Sequence, residues 1–432
     1  MIHKKLTQSL LLLAATMLLW SCDDTLDDGR NAQVAPTINV VMPDDLADVE
    51  VESETFEVRN VTTGSVVKYS SRSDIQLRTG LYDVAYEAQV RCMVDGEKVE
   101  KHLTGYTPSV EITLADHTFN IEAYENIVND DFVISEIFFT GTLRSTGNQY
   151  YGDDYVKLYN NTDHVLYADG ITFLESKFVT TEKFEYSPDI MSDYMTVEAL
   201  YTVPGSGHDY PVQPGEEFWI VDTGIDHRVA NENSFDCSYA DFEWYDVSTQ
   251  PAHMDIDSPT VPNLDRWYSY TLSFFVLHNR GFRAWAIARI PVERDEFLTN
   301  YKYRYNYTMV LPAGTFPMSQ TAYKVPNKWI VDAVNCSVES ERVWNVTAPS
   351  LDCGWTYCGT MDHDKTRYFH SVRRKVLYLK DGKPVLKDTN NSSEDFNPFV
   401  TPSEIENQST AMDVNGTPCT TRTWDGVMPR QK

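Results

Sequence analysis

The chain has few cysteines, few basic residues and almost no long apolar run, and each shortage excludes something. Seven cysteines in 432 residues are too few for a disulfide-built scaffold, so ordinary apolar burial must close the cores. Only 36 lysines and arginines stand against 64 aspartates and glutamates, a formal net charge of −28. So acidic a surface repels phosphate backbones, which excludes nucleic acid as a partner. Beyond the amino-terminal segment, no apolar run reaches the roughly 20 residues that a membrane-crossing helix needs. Catalytic signatures are missing too. Gly205-Ser206-Gly207 is not the G-x-S-x-G elbow of a hydrolase, and neither H-E-x-x-H nor a phosphate-binding loop occurs. The histidines are scattered singly. The expectation is a protein that is not an enzyme and carries no cofactor. A hydrolase whose carboxylates pair only in space is the less favoured reading.

What is present begins at the amino terminus. Lys4 and Lys5 precede an apolar run from Leu10 to Trp20, which closes on Ser21-Cys22. The run is too short to cross a bilayer and reads as a cleaved export signal over residues 1–21. A small residue directly before a cysteine resembles the lipobox of bacterial lipoproteins, in which that cysteine is acylated. The acids Asp23, Asp24, Asp27 and Asp28 resemble the export run of Bacteroidota surface lipoproteins. The resemblance implies Cys22 as the lipidation site and a protein lipid-anchored at the outer membrane. It would face the cell surface, with the periplasmic face as the alternative. Residues 22–35 are acidic, polar and without periodicity, as in a flexible tether. With Cys22 acylated, Cys92, Cys237, Cys336, Cys353, Cys358 and Cys419 remain, and six thiols allow about fifteen pairings.

Residues 36–128 read as strand after strand. Tyr82, Val84, Tyr86, Ala88, Val90 and Cys92 alternate with Asp83, Ala85, Glu87, Gln89 and Arg91, a period of two with one wet face. Val110, Ile112 and Leu114 alternate with polar residues, as do Phe119, Ile121 and Ala123, and Gly64, Gly80, Gly96 and Gly105 supply turns. The order NVTTGSVVKYSSRSDIQLRTGLYDVAYEA resembles the transthyretin-like or carboxypeptidase-regulatory sandwiches of surface proteins, which act mostly as spacers or docking units.

Residues 129–432 carry several pieces in one order. They are Ile134–Ile137, Asp153–Asn160, Gly170–Phe173, Phe218–Asp222, Phe274–Gly281, Trp329–Val334, Ser371–Lys375 and Asp388–Phe396. This order resembles the lamin-tail domain and implies an immunoglobulin-like β-sandwich. The stretch is over twice that family's usual length, and the surplus falls at Leu174–Pro211, Ile225–Tyr270 and Cys336–His370. Segments so long and so rich in aromatics read as functional loops. The fold class expected is therefore all-β: a small N-terminal sandwich, then an enlarged lamin-tail-like sandwich with long insert loops.

The candidate residues are modest. Cys353-x4-Cys358 matches no common zinc spacing and reads as a local disulfide in an exported chain. His253-Met254-Asp255-Ile256-Asp257 and Met361-Asp362-His363-Asp364 place imidazole beside carboxylates, so His253, Asp255, Asp257 and His363 are metal candidates close to background. Asp153 and Asp154 are placed to bind calcium, to pair across strands or simply to be solvated. Tyr301, Tyr303, Tyr305 and Tyr307 alternate as a strand, and ordinary sheet packing explains them. Tyr239, Trp244, Tyr245, Trp267 and Tyr268 cluster in the enlarged loops and are the candidate ligand or partner contacts.

The whole arrangement resembles a family of Bacteroidota lipoproteins often encoded beside TonB-dependent outer-membrane transporters. The resemblance implies a non-catalytic ligand-capture or docking component of such an uptake system, with an iron or other metal complex as the favoured cargo. The alternative is a structural or adhesive surface protein that binds glycan or protein.

Overall fold

The structure is a computed structural model that describes residues 33–43, 46–94, 97–125 and 130–408. The expected signal segment, the lipidation site Cys22, most of the tether and Cys419 lie outside the described residues. The chain divides into two compact units between Glu125 and Asn126. The fold is all-β. No helix among the described residues is long and apolar enough to cross a membrane.

The first unit is built on a five-stranded antiparallel sheet in the order Val66–Tyr69, Ala47–Asn60, Gly80–Val94, Glu97–Ile112, Tyr124–Glu125. The central strand Gly80–Val94 buries the six residues that alternation assigns to its dry face: Tyr82, Val84, Tyr86, Ala88, Val90 and Cys92. A parallel pair, Thr37–Val41 with Thr118–Glu122, closes that face by adding Ile38 and Ile121 to the same core. Its approach explains Gly105: a Cβ there would stand 2.5 Å from the Glu122 carbonyl oxygen and 2.8 Å from Ile121. Leu114, expected to continue the apolar face, lies beyond the strand end at Ile112 and is exposed.

The second unit is a sandwich of two sheets. One has six strands, ordered Phe242–Glu243, Glu217–Val221, Tyr155–Tyr159, Val133–Phe138, Ser371–Arg374, Phe396–Val400. The other has seven: Lys302–Leu311, Gly314–Pro326, Tyr194–Thr202, Ile171–Ser176, Ala284–Arg289, Ile330–Asn335, and Asp265–Ser269 paired onto Tyr194–Thr202. Ile134, Val156, Leu158, Ile220 and Val372 of one sheet meet Phe173, Tyr201, Trp285, Ile287 and Val334 of the other in the main core. A second cluster covers the outer face of the seven-stranded sheet and a third covers that of the six-stranded sheet. Both faces of most strands are therefore dry, so every residue of Val133–Phe138, Tyr155–Tyr159 and Ile171–Ser176 is buried. Such strands lose their alternation.

This double coverage corrects one expectation. Leu174–Pro211 is not a loop insertion, because it contains Tyr194–Thr202, a central strand paired on both sides. Ile225–Tyr270 contributes only the short strands Phe242–Glu243 and Asp265–Ser269. Two buried cations are held by carboxylates. Arg374 places its guanidinium against Asp332, Asp388 and Asp395 at 2.5, 3.1 and 3.7 Å. Lys157 lies between Glu404 and Glu217 at 2.7 and 3.0 Å.

Candidate functional site

The loop aromatics do not form one surface. Trp244 is fully buried in the main core and stacks on Phe173 with ring centroids 5.9 Å apart. It cannot touch a partner, which corrects the sequence reading. The reason is that its own segment, Phe242–Glu243, joins the six-stranded sheet and carries Trp244 inward. Tyr239 is 38% exposed, sits edge-on to Trp219, and donates to Glu404 at 3.0 Å. Tyr245 is half-buried. Trp267 and Tyr268 pack on Phe297 and Tyr323 over the seven-stranded sheet. Tyr239 therefore belongs to one outer layer and Trp267 and Tyr268 to the other, with the sandwich between them.

The cysteine expectation also changes. Cys358 is a free, buried thiol in the main core, and Cys353 is exposed. The local bridge is therefore not formed in this structure. Thr356 between them donates its N–H to Asn335 O and accepts from Ser337 N–H. That short pairing turns Cys358 inward beside Cys336, while the Cys353 N–H is held by Asn390 O. Burial pushes the Cys336 and Cys358 thiols well up, so both stay protonated. The metal candidates are scattered as well. His253 and Asp257 are exposed, Asp255 accepts the Asp246 N–H at 2.7 Å, and the His363 side chain is 80% exposed beside Asp362. Among the described residues no three His, Cys, Asp or Glu side chains stand ready to close round an ion.

Two arrangements do bring chemistry together. The first is an aromatic wall. The strand Lys302–Leu311 turns tightly into Gly314–Pro326, and period two places Tyr303, Tyr305 and Tyr307 on one face with Lys302, Arg304 and Asn306 on the other. Against the tyrosines lies the segment 178–186. Tyr186 stacks on Phe178 at 4.0 Å and meets Tyr305 edge-on at 5.5 Å, and Phe184 packs on Tyr307 at 4.8 Å. Trp344 backs Tyr186 at 6.1 Å, with its indole N–H held by the Val179 and Glu182 carbonyls at 2.9 Å each.

The hydroxyls of the wall are partly engaged. Tyr305 donates to Gln320 Oε1 at 3.0 Å, and Gln320 Nε2 donates to the Tyr307 hydroxyl at 3.1 Å. Phe178, Phe184, Tyr186, Tyr303 and Trp344 line a concavity of roughly 210 Å³. Its mouth carries Lys183, Glu185 and Asp189, all exposed. Burial, then the nearby Glu182, pushes the Tyr186 hydroxyl up to about 12, so the ring presents a neutral donor. Packing does account for Tyr303 and Tyr305, as the alternation implies. What the alternation could not supply is the partner segment more than a hundred residues earlier.

The second arrangement is acidic. At one end of the sandwich lie Asp153, Asp154, Asp222, Glu243 and Asp246, all buried, with half-buried Asp255. Burial raises every one of them, Glu243 to about 7 and Asp255 to about 6. Asp153 Oδ2 accepts from the Thr142 hydroxyl and, at 2.7 Å, from Ser234. His227 is enclosed beside them. One ring nitrogen, Nε2, lies 2.8 Å from the Thr223 carbonyl and must donate to it. Nδ1 lies 2.9 Å from the Tyr150 hydroxyl. Burial lowers the imidazole's pKa against the opposing pull of the Asp153 carboxylate.

Comparison with other proteins adds the following. Residues 213–403 match the model of DUF4876, a family described as a protein of unknown function. The chain is similar in structure to a crystal structure of a DUF4876 family protein from Bacteroides thetaiotaomicron. The two share 20% sequence identity over 84% of this chain and 95% of that one, with a TM-score of 0.57. A likeness at that identity speaks for the fold. No curated protein matches the chain.

Proposed function

We propose that the protein is an outer-membrane lipoprotein, acylated at Cys22, that captures a ligand for a TonB-dependent transporter and does no chemistry on it. In this reading the first unit is a transthyretin-like spacer and the second presents the binding surface at the cell surface. The aromatic wall is the observation that carries it. Phe184, Tyr186 and Tyr303 line a concavity whose rim bears one ammonium and two carboxylates, the mix of flat apolar surface and few polar groups that small-ligand sites use. Rigid rings give contact area at low entropic cost. Phe178 and Trp344 lock them from behind, so little ordering remains to be done on binding.

The wall suits the flat faces of a porphyrin or an aromatic iron chelate. The carboxylates at its rim give some weight to the second reading, adhesion to glycan, because they match a sugar's polar edge. A deletion strain grown on haem, ferric chelates and a panel of oligosaccharides as sole iron or carbon source tests both. Loss of growth on one iron source supports capture for uptake. Loss on a glycan alone supports the second reading, and unchanged growth on every source removes the uptake role.

A further inference from the structure

One long stretch departs from the acidity of the chain. There are 64 acids in 432 residues, yet none falls in residues 297–331, whose charged side chains are Lys302, Arg304, Lys324 and Lys328. Between Arg304 and Lys324 there is no charge of either sign. This stretch holds the hairpin of Lys302–Leu311 and Gly314–Pro326. Only the foot of the hairpin belongs to the wider sheet. Residues 323–326 pair with 194–197, and from Ala199 onward Asp265–Ser269 takes that edge instead. Beyond the foot the two strands pair with each other as far as Leu311 with Gly314, and Asn306 also bonds to Ser187.

The tip is apolar and uncovered. Val310, Leu311 and Phe316 are 72, 48 and 42% exposed, and Pro312, Ala313 and Pro317 are exposed with them. Alternation carries the tyrosine face outward, since Met309 opposite Phe316 follows Tyr307 opposite Met318. The rings that cover this face reach Tyr307, where Phe184 packs. Lys302 and Arg304 stand exposed on the other face. Arg304 lies six residues before Val310, about 20 Å along the strand.

We propose that this hairpin is a membrane contact: its apolar tip enters the interface of an anionic phospholipid bilayer, while Lys302 and Arg304 meet the headgroup phosphates. The charge pattern selects the partner. Acyl chains reject charge, whereas a protein interface mixes polar groups with apolar ones, and this tip carries no charge. The cations set back from it suit a phosphate layer, because long basic side chains reach from apolar surface to a polar plane. Tyr305 and Tyr307 lie between tip and cations, at the level where amphipathic rings sit on a membrane. Depth follows too. Interfacial segments sink about 5–10 Å, the length of the two or three residues that Met309, Val310 and Leu311 supply. The hairpin goes no deeper, because Lys302–Leu311 is the last strand of its sheet and its outward backbone groups need water. The net charge of −28 does not forbid the contact, since at physiological salt charges beyond about 8 Å are largely screened. Glu185 and Asp189 of the covering segment sit at the concavity, behind the tip.

The test uses the mature chain, residues 22–432, with Cys22→Ser so that no acyl group takes part. It is sedimented at about 0.15 M salt with vesicles of phosphatidylcholine, alone or mixed three to one with phosphatidylglycerol. About half of the chain or more should sediment with the mixed vesicles at about 1 mM lipid, and binding to phosphatidylcholine alone should be about tenfold weaker. Val310→Asp/Phe316→Asp should weaken binding about tenfold or more at unchanged Tm, both side chains being exposed. Lys302→Gln/Arg304→Gln should erase the preference for the mixed vesicles and keep the weaker binding. A chain that stays in solution with both vesicles overturns the proposal. Binding that the aspartate pair leaves unchanged also overturns it, since another surface would then hold the lipid. Equal wild-type binding to both compositions overturns the part given to the cations. A dimer in light scattering that the aspartate pair makes monomeric, without sedimentation, overturns it in favour of a second copy of the chain.

Discussion

Lys157→Met is the substitution whose outcome the structure specifies most fully. Lys157 Nζ is buried against Glu404 at 2.7 Å, Ser403 Oγ at 2.8 Å and Glu217 at 3.0 Å. It also lies 5.6 Å from the Trp219 ring. Burial alone would lower this ammonium, but Glu217 and then Glu404 outweigh it and hold it charged. Burial would likewise lift Glu404, yet the charge and hydrogen bond of Lys157 keep it below its ordinary value. Methionine fills the stem's volume and leaves Glu404, only 6% exposed, without its cation. Breaking a buried pair from one side costs about 3–5 kcal/mol, read as a lower urea midpoint at unchanged slope.

The pH dependence separates this cause from simple repacking. Glu404 has a folded-state pKa below its unfolded value of about 4.3. It therefore stabilises the wild type above that pH and stops doing so as acid protonates it. In the variant the same carboxyl is raised and penalises folding above about pH 4.3. The gap between the two proteins should be full near pH 7 and close towards pH 4. Adding Glu404→Gln to Lys157→Met should recover part of the loss. A gap independent of pH, or under about 1 kcal/mol at pH 7, would refute the reasoning.

Two further outcomes are expected. The acids Asp154, Asp222 and Glu243 have folded-state values above their unfolded ones. They hold more protons folded than unfolded from about pH 4 upward, so this end of the sandwich loses stability as pH rises through about 7. An Asp154→Asn/Asp222→Asn double variant should show a flatter fall in Tm between pH 5 and 7.5, and a fall as steep as the wild type's would contradict it. Under native conditions iodoacetamide should label Cys353 and spare Cys358 until urea unfolds the chain, as peptide mass mapping would show. A peptide pair joined through Cys353 and Cys358 would instead restore the local bridge.

What could be read from the sequence depended on how many faces of an element are wet. The strand Gly80–Val94 has one exposed face, so its alternation gave its core residues directly. Tyr194–Thr202 is dry on both faces. Its run MTVEALYT alternates Met195, Val197, Ala199 and Tyr201 with Thr196, Glu198 and Thr202, broken only by Leu200, so a strand signal was present and a central strand still passed for loop. The same burial misled the aromatic count, because Trp244 marks a short sheet strand and not a surface. Alternation found Tyr303, Tyr305 and Tyr307, but their partners Phe178, Phe184 and Tyr186 come from a remote segment that only the folded chain brings near. Asp153 and Asp154 were visible as acids on a strand entry. That Asp222 stands opposite them follows from the rung between Tyr155 and Val221, a register no spacing encodes.

The central claim is that the aromatic wall is where this protein meets its ligand. The most direct measurement replaces the chromosomal copy with Lys183→Ala/Phe184→Ala, an ammonium and a ring that line the concavity and whose removal leaves the Phe178–Tyr186 stack in place. Growth or uptake is then measured on the source that the deletion strain cannot use, with surface level and circular dichroism matched to wild type. The account predicts uptake reduced roughly tenfold or more, the scale of losing binding anchors. Full wild-type uptake by the double variant would contradict it.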